Sequence, residues 1–563
     1  LKDVWGVPAE ALKIDFSPDT FGHSANVPEI DSYGAVKYLY HCRGLDEEHV
    51  LYRWRGISGK EVLAYREPYW YNSGITPDIG CGLLDRLKKC AGLKTGLIVY
   101  GVGDHGGGPT RRDLAYIREM MSWPIFPTLR FSSYRAFFDQ LEEIYPQLPV
   151  VDQELNCVFT GCYTTQSRIK LSNRVGEAAL YRAEALSAAA KALTGRPYEA
   201  PVFAEAWEQL LFNQFHDILP GSSIARVYED AEKAFHAILE ESHELTAKAV
   251  AGLVEAGNGV TVGNSLGFAY DTLVELPESF AAGAQTREGK AVPTEKIGDK
   301  VYGLTEVPAY GMVSLVPADT RTKAADSVSL TQDGDTFILE NNQVKAVVDG
   351  KGEVVSFVLK TSGREFAAEP MNRFHLYKDV PRLFDAWDID SNYIDQEITA
   401  AEDVTVTVES TGSLRSVLKV TGRISNSPFV QYIRLDADST RLEFETAIDW
   451  KELHRLLKVG FPVNVFAENG INEMQFGYVE RPTRRSRAYE KDRFEVCNHR
   501  YSALCDQAHG AAVLNDCKYG ISMNGNALEL TLLRAAAAPE MHADNREHHF
   551  TYGFTAWEGS FAD

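Results

Sequence analysis

Hydrophobic period changes twice along this 563-residue chain, and each change opens a region that cannot share an architecture with the one before. Beyond Gly257 the apolar residues fall in short runs between Gly- and Pro-rich turns. Examples are Phe337–Glu340, Val344–Val348, Leu442–Asp449 and Leu528–Leu533. That pattern predicts β-strands, and its persistence from about residue 323 to Asp563 calls for sheet packed on sheet. Between 151 and 256 the period is helical. Asn173–Leu193 is rich in Ala, Leu, Glu and Arg, all strong helix formers, and Val202–Phe215 and Ile224–Leu253 continue the pattern. Three helices of these lengths make a bundle. Residues 1–150 place short apolar runs at Ala11–Phe16, Val36–Tyr40, Val62–Tyr65, Leu97–Gly101 and Leu129–Ser132, with helical stretches at Arg111–Met121 and Tyr134–Ile144. Such alternation predicts a parallel α/β layer. Five strands fall short of the roughly eight that close a barrel, so the region reads as part of a larger α/β domain.

Composition excludes several partners. The chain carries 57 Lys and Arg against 79 Asp and Glu, a formal charge of −22. Such a surface repels nucleic acid and anionic membranes. No apolar run reaches transmembrane length, and no basic-then-apolar segment opens the chain. The eight cysteines form no C-x-x-C pair, so they read as buried thiols of a reducing, cytoplasmic compartment rather than as a zinc cluster or a disulfide framework. A homo-oligomer is left open. The chain opens on Leu1 rather than Met, which suggests processing or residues that precede it.

Three segments carry chemistry. Ser17-Pro18-Asp19-Thr20-Phe21-Gly22-His23-Ser24 directly follows a strand, where the active-site loops of α/β domains lie. Taken alone it reads as an Asx-type turn or a helix N-cap by Asp19. Gly101-Val102-Gly103-Asp104-His105-Gly106-Gly107-Gly108 also follows an apolar run. It lacks the spacing and the lysine of a phosphate loop. Its glycines permit close backbone approach to a ligand, with Asp104 as the reactive group; a tight turn with a solvated Asp is the alternative. In Asn213-Gln214-Phe215-His216-Asp217-Ile218-Leu219-Pro220-Gly221 a His-Asp pair ends a helix. A helix cap and a metal ligand fit His216 equally.

Together these segments resemble glycoside hydrolase family 38, the α-mannosidases, in its bacterial and cytosolic branch. The resemblance extends to Tyr52-x-Trp54-x-Gly56, Gly161-Cys162-Tyr163-Thr164, Asn173-Arg174-x-x-Glu177, Asp379-x-Pro381 with Asp385-Ala386-Trp387-Asp388, and Phe476-Gly477-Tyr478-Val479-Glu480-Arg481-Pro482-Thr483. It implies a multidomain α+β chain: part of a (β/α)7-type catalytic barrel over 1–150, a three-helix bundle over 151–256, a small β domain over 257–322 and a large β-sandwich over 323–563. It also implies zinc, or another divalent metal, held by the nucleophilic Asp, the late His and an early His-x-Asp pair. The first two carry over to Asp19 and His216. The early pair has no match; His542-Ala543-Asp544 has the spacing but lies among the C-terminal strands and is rejected. The remaining ligands are therefore expected in an N-terminal segment before Leu1, and this chain by itself is expected to be metal-poor and close to inactive.

The resemblance implies retaining, exo-acting hydrolysis of α-mannoside glycans. Asp19 is the expected nucleophile and Asp104 the candidate acid/base. Asp217 is expected to accept hydrogen bonds from sugar hydroxyls. Phe21 and Trp54 are candidate apolar faces for the sugar, with core packing the commoner use of such residues. Arg43 is a further binding candidate, with a surface salt bridge its ordinary fate. Two other classes compete: a catalytically inactive carbohydrate-binding or scaffold protein, and a metal-assisted deacetylase on a barrel.

Overall fold

The computed structural model describes residues 6–8, 11–46, 48–90, 92–103, 106–255 and 257–562. The chain divides into two compact units. One runs up to Val158 and includes Gln475–Val479; the other holds Phe159–Met474 and Glu480 onward.

The first unit is built on a five-stranded mixed sheet. Its strands are β1 (Ile14–Ser17), β2 (Tyr38–His41), β3 (Leu51–Arg55), β4 (Glu61–Arg66) and β5 (Val150–Val151), in the order β1-β2-β4-β3-β5. β1, β2 and β4 run parallel, β3 is antiparallel to β4, and β5 is parallel to β3. All four residues of β2 are buried, as befits a parallel strand covered on both faces. Helices α1 (Val27–Tyr33), α2 (Asp78–Lys89), α3 (Arg111–Met120) and α4 (Tyr134–Phe138) connect the strands.

Several expectations need correction. Leu97–Gly101 and Leu129–Ser132 form no strands. Leu97 and Val99 pack into the core, and Leu129 packs beside Ile117 and Met120, but their backbone joins no ladder. Hydrophobic runs report burial, and pairing does not follow from it. β3 and β5 were not predicted, and β3 makes the sheet mixed. α4 ends at Phe138, short of the expected Ile144.

The second unit opens with three helices: α5 (Ser167–Thr194), α6 (Ala200–Phe212) and α7 (Ala225–Leu253). They bury Leu180, Phe203, Leu210, Phe235 and Ile238 in one cluster. α5 begins six residues before the expected Asn173. Two small sheets follow, one of Thr294–Ile297, Lys300–Val307 and Tyr270–Leu276, the other of Val260–Gly263, Met312–Pro317, Ala284–Thr286 and Ala291–Val292. The rest is antiparallel sheet. One face is contributed by strands such as Arg373–Lys378, Arg455–Pro462 and Ala527–Arg534, the other by Ser427–Asp436, Leu442–Asp449 and Glu547–Glu558. They meet in a core where the rings of Phe461 and Phe554 stack at 5.5 Å. Burial of such aromatics is the main source of stability in a sandwich of this kind.

Candidate active site

Strand register places the first cluster. Ser17 of β1 lies opposite His41 of β2, and His41 lies opposite Arg66 of β4. Two residues beyond the paired ends stand Asp19 and Arg43, side by side at the carboxyl edge of the sheet. The Arg43 guanidinium donates to Asp19 Oδ1 from Nε at 3.0 Å and from Nη2 at 2.6 Å. Tyr71, on the chain that leaves β4, donates its hydroxyl to Asp19 Oδ2 at 3.1 Å. Of three adjacent parallel strands, one thus leads to the carboxylate and the two others each lead to a side chain that binds it, at the edge where α/β domains carry their sites. Asp19 and Arg43 keep about a fifth of their side-chain surface exposed. The Arg43 guanidinium also lies 4.5 Å from the Trp70 ring and 5.6 Å from the Phe21 ring. Phe21 therefore flanks the ion pair. Trp70 adopts φ +80°, a left-handed conformation costly for a bulky residue and of the sort that collects at functional sites.

The support beneath this cluster is dry. His41 Nδ1 meets the Arg43 carbonyl at 2.8 Å, and its Nε2 meets the Tyr52 hydroxyl at 2.6 Å. Burial pushes the His41 imidazole down to about 3, so the ring is neutral and acts as a brace. The loop after Asp19 is tied down by His23, whose backbone exchanges hydrogen bonds with Leu155 at 3.1 and 2.9 Å. Gly22 is required there: a Cβ would stand 2.6 Å from the Asn156 Cα. Trp54 takes the core-packing alternative. It is fully buried, its Nε1 donates to the Gln153 carbonyl at 2.9 Å, and it has no face to offer a sugar. It belongs to the core because β3, which was not foreseen, turns it inward. Asp104 lies outside the described residues.

His216 and Asp217 belong to the second unit. α6 ends at Phe212, so His216 sits in the turn that follows the helix and does not cap its last turn, contrary to the expectation of a pair ending a helix. Its ring lies 4.1 Å from that of Phe215, and its Nε2 is 3.8 Å from Asp217 Oδ2. Asp217 is fixed by Ser222, whose hydroxyl donates to Oδ1 at 2.8 Å. The loop is held from below by Lys170 of α5. Its buried ammonium donates to the carbonyls of Thr165 at 2.5 Å, Leu219 at 2.9 Å and Pro220 at 3.3 Å. Desolvation pulls Lys170 down to about 8. Sequence reasoning missed Tyr71, Trp70, His41 and Lys170. Neither Tyr71 nor Lys170 left a local signal: Tyr71 lies five residues past the end of β4, in a loop whose course the strand does not set.

Three domain descriptions match the chain in order: Glycosyl hydrolases family 38 N-terminal domain over residues 7–158, Alpha mannosidase middle domain over 157–253, and Glycosyl hydrolases family 38 C-terminal domain over 339–542. The chain belongs to glycosyl hydrolase family 38. It is similar to Alpha-mannosidase 2C1 of Homo sapiens, at 33% identity over 566 residues that cover 97% of this chain and 53% of that protein. It is also similar to an Alpha-mannosidase of Saccharomyces cerevisiae, at 28% identity, covering 98% and 50% respectively. The chain thus spans about half the length of these curated relatives. The crystal structure of an alpha-mannosidase from Enterococcus faecalis shares the fold, with a TM-score of 0.82 at 18% identity over 99% of this chain and 75% of that one.

The family is generally metal-dependent. Among the described residues no group of three or more His, Cys, Asp or Glu side chains could hold an ion. Asp19 is instead bonded to a guanidinium and a phenol. The described residues do not fit a metal by themselves. Among them no helix is long and apolar enough to cross a membrane.

Proposed function

We propose that the whole protein is a retaining, exo-acting α-mannosidase in which Asp19 is the nucleophile. The observation that carries this reading is the Asp19 carboxylate, presented at the carboxyl edge of the parallel strands and oriented by Arg43 and Tyr71. The names of the relatives supply the sugar: they are alpha-mannosidases.

In the first step Asp19 forms a bond to the anomeric carbon as the bond to the leaving oxygen breaks, and an acid delivers a proton to that oxygen. Asp104 is our assignment for that acid, on sequence alone. In the second step water, relieved of a proton by the same group, displaces the carboxylate and restores the starting configuration. Arg43 and Tyr71 hold Asp19 in one rotamer before attack and take up its negative charge again when the ester breaks. Asp217, held by Ser222, would accept from sugar hydroxyls. That the whole protein carries zinc or another divalent metal belongs to the same proposal, on the family's general metal dependence. Cytoplasmic action accords with eight cysteines that carry thiols rather than disulfides.

The test is Asp19→Asn in the full-length protein, assayed on an aryl α-mannoside. A loss of roughly a thousandfold or more in kcat is expected. An undiminished rate overturns the assignment. Release of mannose separates this reading from a deacetylase, and turnover of any kind separates it from a binding protein.

A further inference from the structure

We propose that the loop 380–388 of the second unit is a stacking subsite for a neutral pyranose of the same glycan that Asp217 contacts. The proposal rests on the reading of Asp217 as a sugar contact.

The sequence marks this loop with Asp379-x-Pro381 and Asp385-Ala386-Trp387-Asp388, and nothing above gives it a task. Its polar groups are spent on holding its shape. The fully buried Arg534 donates to Asp379 Oδ2 at 2.9 Å, to the Ala386 carbonyl at 3.0 Å and to the Asp388 carbonyl at 2.8 Å. Asp385 accepts from the Ala537 backbone at 2.8 Å and faces His454 Nε2 at 3.1 Å. The Cys162 backbone donates to the Trp387 carbonyl at 3.2 Å.

Beside the exposed Arg382, this frame presents an apolar face to solvent. Leu383 is 59% exposed and Phe384 56%. Phe384 lies edge-on to Phe159, with ring centroids 5.4 Å apart at 77°. Both take left-handed backbone conformations, Phe384 at φ +58° and Phe159 at φ +57°. Two bulky residues strained in this way and facing one another, Phe384 more than half in water, are not what core packing selects. An aromatic face of this kind suits the C–H face of a sugar ring. The charge of −22 disfavours an anionic ligand.

Thr165 sets the loop beside Asp217. Its hydroxyl donates to the Ala386 carbonyl at 2.8 Å, and its carbonyl accepts from Lys170 and leaves no room for a Cβ on Gly221. One fully buried residue therefore touches both the loop of Asp217 and the loop of Phe384.

The experiment compares Phe384→Ala and Phe384→Trp with the parent in the full-length protein. Two substrates are used: an α-linked mannotriose, which spans the subsite, and α-mannosyl fluoride, which does not. The ratio of their kcat/KM values is expected to fall roughly tenfold in the alanine variant and to recover with tryptophan. An unmoved ratio overturns the subsite. Saturation-transfer NMR of mannotriose gives a readout independent of turnover. If the parent binds mannotriose but hydrolyses nothing, the catalytic reading fails, and the subsite stands or falls on whether Phe384→Ala abolishes the ring contact.

Discussion

At the scale of single residues, Asp19, Arg43 and Tyr71 divide their work unevenly. Arg43 supplies two bonds from a charged planar fork that also lies over Trp70, whereas Tyr71 supplies one from a neutral hydroxyl. Arg43→Lys loses the fork and the stacking together, so kcat should fall by roughly a hundredfold. Tyr71→Phe removes one hydrogen bond to a charged group, about 1.5 kcal/mol, and should cost roughly tenfold. Steady-state rates on a small α-mannoside check the order; a larger effect for Tyr71→Phe would contradict it. Gly44 makes a different demand. It sits at φ +98° with the Leu155 carbonyl against the place of a Cβ. No rotamer relieves that collision, so Gly44→Ala should lower the melting temperature by several degrees. An unchanged melting curve would show that the backbone yields.

At the scale of elements, α5 shows why its start was illegible. Gln166, at φ +58°, makes no side-chain cap for the helix. The cap comes from Asp544, whose carboxylate accepts the backbone N–H groups of Gln166 and Ser167 at 2.8 Å each, from more than 370 residues away. A local reading sees no signal there and begins the helix at the first strong formers, near Asn173. Asp544→Ala should orphan those two donors, at about 1–3 kcal/mol each if they stay buried. Hydrogen exchange should then accelerate at residues 166–169 before it does elsewhere in the helix, and uniform exchange along α5 would argue against the cap. The same distance effect explains the strands. β4 is legible because its centre, Val62–Tyr65, is uniformly apolar and buried, but β3, Leu51-Tyr52-Arg53-Trp54-Arg55, places Arg at alternate positions and offers no such run. With β3 unseen, the inward direction of Trp54 could not be read. The pair Asp19 and Arg43 was within reach because each follows a clear strand, whereas Tyr71 lies five residues past the end of β4 and depends on the fold of the connecting loop.

At the scale of the whole molecule, both units bury imidazoles. Desolvation lowers His23 to about 4 and His41 to about 3 in the first unit, and His548 to about 4 in the second, against 6.5 for the free side chain. Below pH 6.5 the unfolded chain takes up protons that the folded one refuses. The stability these groups contribute is complete above pH 6.5 and is lost as pH falls toward 4 and then 3. Asp31, raised to about 7 by burial, acts in the opposite sense over part of that range. Replacing one imidazole isolates its share: His41→Gln should show a shallower loss of melting temperature between pH 7 and 4.5 than the parent. Parallel slopes would mean that His41 titrates normally in the folded protein.

Lys170 is not alone in its burial. Lys458 and Lys518 are also almost inaccessible, the first donating to Glu495 and Thr531, the second donating to Ser167 and lying over the Phe550 ring. An amine so enclosed reacts with an acylating reagent only when its surroundings open. These three lysines therefore form a built-in footprinting set for the second unit. Brief treatment of the native protein with such a reagent should modify the exposed lysines and spare these three, and the order in which they become labelled during denaturation would trace which part of the bundle and sandwich gives way first.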